Sequence, residues 1–226
     1  MSSRQEEKEQ RKRERLEREQ AEQQAAKRKR LVQIIGGVVL GAAIVAAVVL
    51  VLAGGGGDEP DTGDLKATAA AAGCELKTFP NEGQEHVTKN LTPADFKTNP
   101  PTSGNHNVTP AQDGLYAPGN EPEIQNWVHT LEHGRILFQY KPDSPRPRIA
   151  QLQKLYDAPV ADRQFDEVPA NGYHSVLKQN NSKMPFAIAA VAWRNYLGCK
   201  TYSPKAIDAM RDFREVYVDT APEQIP

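Results

Sequence analysis

From Leu31 to Ala53 the chain reads LVQIIGGVVLGAAIVAAVVLVLA, 23 residues in which Gln33 is the only polar side chain. A run that long and that apolar has few structural solutions. At about 1.5 Å per helical residue it crosses the ~30 Å hydrocarbon core of a bilayer with some tilt, so the sequence predicts one transmembrane helix over 31–53. A cleaved secretory signal is the rival reading, but its apolar core runs only about 7 to 15 residues, and here 30 residues rich in charge come first. The flanks set the orientation. KRKR, Lys27–Arg30, stands immediately before the span and GGGGDEPDTGD immediately after it, so the positive-inside bias keeps the N-terminus in the cytoplasm and places everything from Gly54 onward outside.

That topology divides the chain into a charged cytoplasmic tail (1–30), the span (31–53), a flexible linker opened by four glycines (54–64) and an extracytoplasmic domain (65–226) long enough for one core. The tail holds 11 Lys/Arg against 7 Asp/Glu, which leaves 17 against 22 for the rest. Glu7 with Arg11, Glu9 with Arg13 and Glu14 with Arg18 are i,i+4 pairs that support a solvated helix, and the lack of apolar a and d positions excludes a coiled coil. The exported part is acidic and carries no basic stripe, which argues against nucleic acid as a partner. The expected partners are the membrane itself, through its single span, and a protein or cell-wall component of the envelope.

Both cysteines, Cys74 and Cys199, fall in the exported part. An even pair in an oxidising compartment reads most simply as one disulfide. A pair of metal-binding or redox thiols is the alternative, and no CxxC spacing supports it.

In the domain, DLKATAAAAG reads as a short helix closed by Gly73, and a tract rich in Pro, Gly and Asn follows from about Phe79 to Gly119. Long ordered loops inside a domain tend to carry function. Beyond them RILFQY reads as a strand, SPRPRIAQLQKLYD as a helix, and GYHSVLK with PFAIAAVAW as a hairpin across QNNSK. Ser203 as N-cap and Pro204 at the first helical position open a last helix with Ile207, Met210, Phe213 and Tyr217 along its core face. Strands and helices mix without regular βαβ alternation. The expected fold class is α+β, a single two-layer domain with a long loop-rich region, preceded by one transmembrane helix.

The chemistry concentrates in the histidines. Of five in the chain, His86, His106, His129 and His133 lie within 48 residues, and His174 sits alone in an expected strand. EPEIQNWVHTLEHG reads as a helix from Pro122 near its first position to Gly134 as a left-handed stop. At about 100° per residue, Ile124, Trp127, Val128 and Leu131 share one face, while His129 and His133 point about 140° and 180° away from Ile124. These two face either solvent or a site, on adjacent turns where paired imidazoles can share one ion. Glu132 lies about 60° to 100° from them, as an orienting partner, a ligand or a base. HTLEH also matches the HxxEH string of inverted zinc peptidases, but Gly134 ends the helix at once and no long helical domain with a third acidic ligand follows. His106, on a loop stiffened by Pro100 and Pro101 and freed at Gly104, and His86 in EGQEH complete a set that suits zinc or copper. The plain alternative is that these histidines satisfy loop backbone groups.

GCEL with EGQEHV, then NPPTSGNH, DGLY, VHTLEHGRILFQY, AWRNYLGC and IDAMRDF with APEQ, resemble the bacterial DUF3105 family, a domain of unknown function in membrane-anchored envelope proteins. The resemblance runs from about Ala69 to Gln224. It implies an extracytoplasmic domain whose marked positions include the four histidines, Glu132, Pro100, Pro101, Ser103, Gly104 and both cysteines, with His174 outside the signature. Asn105 and Asn107 flank His106 where the family more often has proline and an aromatic residue. The resemblance supplies no activity. Two functional readings follow. In the first, His86, His106, His129 and His133 form a transition-metal site at the cell envelope, with Glu132 as the base if a coordination position stays open for water; a metal-dependent hydrolase is the lesser version of that reading. In the second, a non-enzymatic envelope interaction or scaffold domain uses its histidines to brace a long loop.

Overall fold

A computed structural model of the chain describes residues 61–161 and 163–226. The expected tail and span and the linker up to residue 60 lie outside the described residues, the end of the expected linker, Gly63 and Asp64, is helical, and among those described no helix is long and apolar enough to cross a bilayer. The elements run α1 (Gly63–Ala71), β1 (Cys74–Thr78), a 3-10 turn (Pro93–Asp95), β2 (Gly114–Leu115), α2 (Ile124–Glu132), β3 (Ile136–Tyr140), α3 (Arg146–Asp157), β4 (Ser175–Gln179), β5 (Ile188–Ala192), β6 (Asn195–Cys199) and α4 (Pro204–Tyr217). The six strands form one mixed sheet in the order β1-β6-β5-β3-β4-β2.

Strand β3 is central and buried along its whole length. Its alternating side chains serve two cores, as the period of a strand requires. Ile136, Phe138 and Tyr140 join one cluster with Leu65 and Ala69 of α1, Leu152 and Leu155 of α3 and Met210 and Phe213 of α4. Leu137 points to the other face, where Val176, Ala189 and Val191 meet Ile124, Trp127, Val128 and Leu131 of α2 and Phe96 of the long loop. The α+β class holds, but the expected two layers become three. Three helices cover one face, and α2 with the loop tract covers the other. Pro100 to Gly104, part of the tract rich in Pro, Gly and Asn, are buried there.

The expected hairpin between GYHSVLK and PFAIAAVAW does not form. Strand β4 pairs parallel with β3, Ile136 opposite Ser175, after a crossover through α3, whereas β5 pairs antiparallel with β3 on its other side, Leu137 opposite Val191. A parallel neighbour needs a crossover of this kind, so β3-α3-β4 is one βαβ unit in a chain whose sequence shows no regular alternation. The true hairpin joins β5 to β6, with Ala192 opposite Asn195 across Trp193 and Arg194. Strands β1 and β6, five residues each, carry too little periodicity to be recognised in the sequence.

The last helix is capped as expected, Ser203 Oγ accepting the Ala206 N–H at 3.1 Å. Gly73, at φ 65°, closes α1 and delivers Cys74 into β1. Cys74 and Cys199 stand opposite one another in the β1–β6 register and are disulfide-bonded across 125 residues of sequence. The disulfide expected from cysteine count and compartment is present. In the chain-entropy model a loop of that length stabilises the fold by about 4 to 5 kcal/mol.

Candidate metal centre

Helix α2 forms because an apolar stripe, Ile124, Trp127, Val128 and Leu131, can be buried against the sheet. Its opposite face is polar, and the long loop lies on it. The Asn107 N–H donates to the Gln125 carbonyl and the Ala111 N–H to that of Asn126, both at 3.1 Å. Side chains complete the seam: Asn126 Nδ2 donates to the Thr109 carbonyl at 2.7 Å, Thr130 Oγ1 to that of Ala111 at 2.9 Å, and Gln125 Oε1 accepts the Leu91 N–H at 2.8 Å. The helix thereby answers backbone groups that the loop, lacking a ladder of its own, would leave bare.

Within the loop two short stretches run side by side. The Gly104 N–H donates to the Gly83 carbonyl at 3.0 Å, His106 N–H to Glu85 at 3.1 Å, and Val87 N–H to His106 at 2.7 Å. This pairing sets His86 beside His106 in parallel. Gly104, at φ 129°, makes the approach: a Cβ there would sit 3.0 Å from the Phe96 ring. The result is a cluster of imidazoles over α2. Ring centroids of His86 and His106 are 5.1 Å apart, and each lies 4.7 Å from that of His129.

The hydrogen bonds of these rings determine which nitrogens remain available. His106 Nδ1 lies 2.8 Å from the Gly104 carbonyl and His129 Nδ1 lies 2.7 Å from the Asn107 carbonyl. A carbonyl only accepts, so both Nδ1 atoms are protonated donors and a neutral ring presents a bare lone pair at Nε2. Nε2 of His106 is fully buried, makes no hydrogen bond, and sits 2.9 Å from Oε2 of Glu132, whose own side chain is 3% exposed. One donor atom from each of His86, His106, His129 and Glu132 lies within 4.8 Å of every other, a group able to hold a metal ion.

His133 does not join that group. Its Nε2 is 2.9 Å from Nε2 of His129 and 3.2 Å from Oε2 of Glu223, and these three residues form a second group of the same kind. Nothing in the sequence marks Glu223, which arrives from the last segment some 90 residues later. Its N–H donates to the Glu132 carbonyl at 3.0 Å. Arg135 holds the same segment, donating to the carbonyl of His133 at 2.9 Å and to oxygens of Ile225 and Pro226. His174 stands apart, as expected from its isolation, but it lies in a turn at φ 40° rather than in a strand. Its Nδ1 bonds Oδ1 of Asp219 at 2.5 Å while Tyr173 donates to Oδ2 at 2.6 Å. Burial pushes the Asp219 carboxyl up, and these two bonds outweigh it and hold the group below the usual range.

The five residues singled out in sequence therefore divide. Glu132 shares the enclosure with three histidines and stands where a ligand would, and His133 belongs with Glu223 at the rim. No curated protein and no solved structure was found to match the chain. A family model does: that described as "Protein of unknown function (DUF3105)" matches residues 86–225, which include both histidine groups. The chain belongs to the DUF3105 family.

Proposed function

We propose that this is a single-pass envelope protein, its N-terminus cytoplasmic, whose exported domain holds one divalent transition ion, zinc or copper, on His86, His106, His129 and Glu132. One observation carries the reading. At His106 the buried Nε2 lies 2.9 Å from a carboxylate oxygen with no hydrogen-bonding alignment between them. Two buried acceptor atoms held that close are costly unless a proton or a metal ion is shared between them, and the lack of hydrogen-bonding alignment favours the metal. Three imidazoles and a carboxylate are the donors zinc and copper accept, and both Nδ1–H groups bonded to backbone carbonyls supply the outer partners that fix ligand rings. Four protein donors fill a tetrahedral zinc shell, so the set fits a closed site that pins the loop to α2 better than a hydrolase, which keeps a position open for water.

Elemental analysis of the full chain, purified in mild detergent from zinc- and copper-supplemented cells, should find about one equivalent of ion. Glu132→Gln, which keeps the side-chain shape, should weaken binding by on the order of 100-fold or more, beyond the usual cost of losing an outer partner. A native protein without metal after such supply would leave the second reading, in which the same Nδ1–H bonds only brace the loop for an envelope partner.

A further inference from the structure

The second histidine group is not absorbed by that reading. Nε2 of His129 belongs to both groups. Its Nδ1 is committed to the Asn107 carbonyl, and a ring nitrogen has a single lone pair, so His129 holds one ion at a time. The two positions are alternatives rather than a pair.

They differ in access. In the inner set only His86, at its mouth, is exposed; the other three donors, His106, His129 and Glu132, are 0%, 3% and 2% exposed and lie beneath the surface. At the outer position the His133 and Glu223 side chains are 12% and 46% exposed. The two Nε2 atoms are 2.9 Å apart, so an ion held by His133 and Glu223 already touches the nitrogen through which it would pass inward. It exchanges ligands one at a time and never loses all of its protein donors.

We propose that His133 and Glu223 form a loading position through which a divalent transition ion reaches and leaves the inner set by way of His129. The inference rests on the inner set being a metal site. The exposed carboxylate of Glu223 draws the hydrated cation, His133 replaces a water, and His129 then Glu132, His106 and His86 replace the rest. Ion charge is unchanged throughout. The proton between the two Nε2 atoms belongs to His133, since His129 already donates from Nδ1, and His133 moves it to its own Nδ1 when the ion arrives. The outer pair is built rather than incidental: the Glu223 N–H is fixed on the Glu132 carbonyl at 3.0 Å, and Arg135 clasps the same segment.

The test uses cobalt(II) as a coloured substitute, loaded into metal-free full chain in detergent under stopped flow and then withdrawn with a chelator, for the native protein, His133→Gln and Glu223→Gln. All three should bind one equivalent. Loading and withdrawal should each slow by about tenfold or more in both variants, while equilibrium affinity stays within about threefold, because a changed path alters both rates together and not their ratio. Lost affinity in the variants would make His133 and Glu223 resting ligands and overturn the proposal. Unchanged rates would overturn it too, as would two equivalents in the native protein. A native protein that binds no cobalt fails at an earlier step, taking down the inner site itself.

Discussion

At the scale of single residues, His129 carries the most constraints. Burial pushes its imidazole down to about 4, the neighbouring His133, His106 and His86 push the same way, and the bond to the Asn107 carbonyl opposes them. An unfolded histidine titrates near 6.5, so between about 6.5 and 4 the unfolded chain binds the extra proton and the folded chain does not. The contribution of His129 to the stability of the metal-free protein is therefore whole above about pH 6.5 and is lost as pH drops toward 4. Denaturant midpoints at several pH values should show that decline, and His129→Gln should flatten it. A slope unchanged by the substitution would assign the loss to other groups. The residues of the site are largely legible in the sequence: four clustered histidines, two of them off the apolar stripe of a helix. Their partition is not. Which nitrogen of each ring stays free depends on the carbonyls of Gly104 and Asn107, and which carboxylate stands beside His133 depends on a segment some 90 residues away in sequence. Helical angles place Glu132 near the pair but cannot show that His86 and His106 close over it.

At the scale of elements, α2 is both a core helix and the floor of the site, and its C-terminal end is where the last segment crosses. Gly134, at φ 81°, permits that crossing: a Cβ there would meet the Asp219 backbone Cα at 2.9 Å, and the Asp219 N–H donates to the Gly134 carbonyl at 3.0 Å. Gly134→Ala combines a left-handed strain with overpacking against backbone, so it should cost roughly 2 to 5 kcal/mol. Chemical denaturation would measure it; a loss under about 1 kcal/mol would mean that the crossing relaxes freely. The helix itself is readable because its apolar stripe and its glycine stop agree, although it starts at Ile124, two residues after Pro122, without a side-chain cap. The strand pairing is not, since GYHSVLK and PFAIAAVAW carry the same apolar pattern whether they meet each other or flank a third strand. Only the crossover through α3, which leaves β4 parallel to β3, decides it. The burial of Pro100 to Gly104 is hidden for a related reason: residues that favour turns give no sign of whether the turn lies over solvent or over a sheet.

At the scale of the whole molecule, the proposed arrangement puts the tail and the domain on opposite sides of a membrane. In intact cells a thiol reagent that cannot cross the membrane should label Thr62→Cys and leave both Ser3→Cys and the unmodified chain unlabelled, the last because Cys74 and Cys199 are already bonded to each other. Labelling at Ser3→Cys, or of the unmodified chain, would overturn the orientation or the persistence of the bridge. That bridge has a mechanical meaning as well. Strand β1 is the sheet edge nearest in sequence to the proposed anchor, and its ladder with β6 begins at the Cys74–Cys199 pair. A pull arriving from the membrane side and resisted beyond residue 199 travels through the sulfurs into β6 and bypasses everything strung between them. The covalent line of force passes by His86, His106, His129, Glu132 and His133, and it includes Glu223 when the pull is resisted beyond that residue; the bond from the Glu223 N–H to the Glu132 carbonyl is then where tension reaches the site.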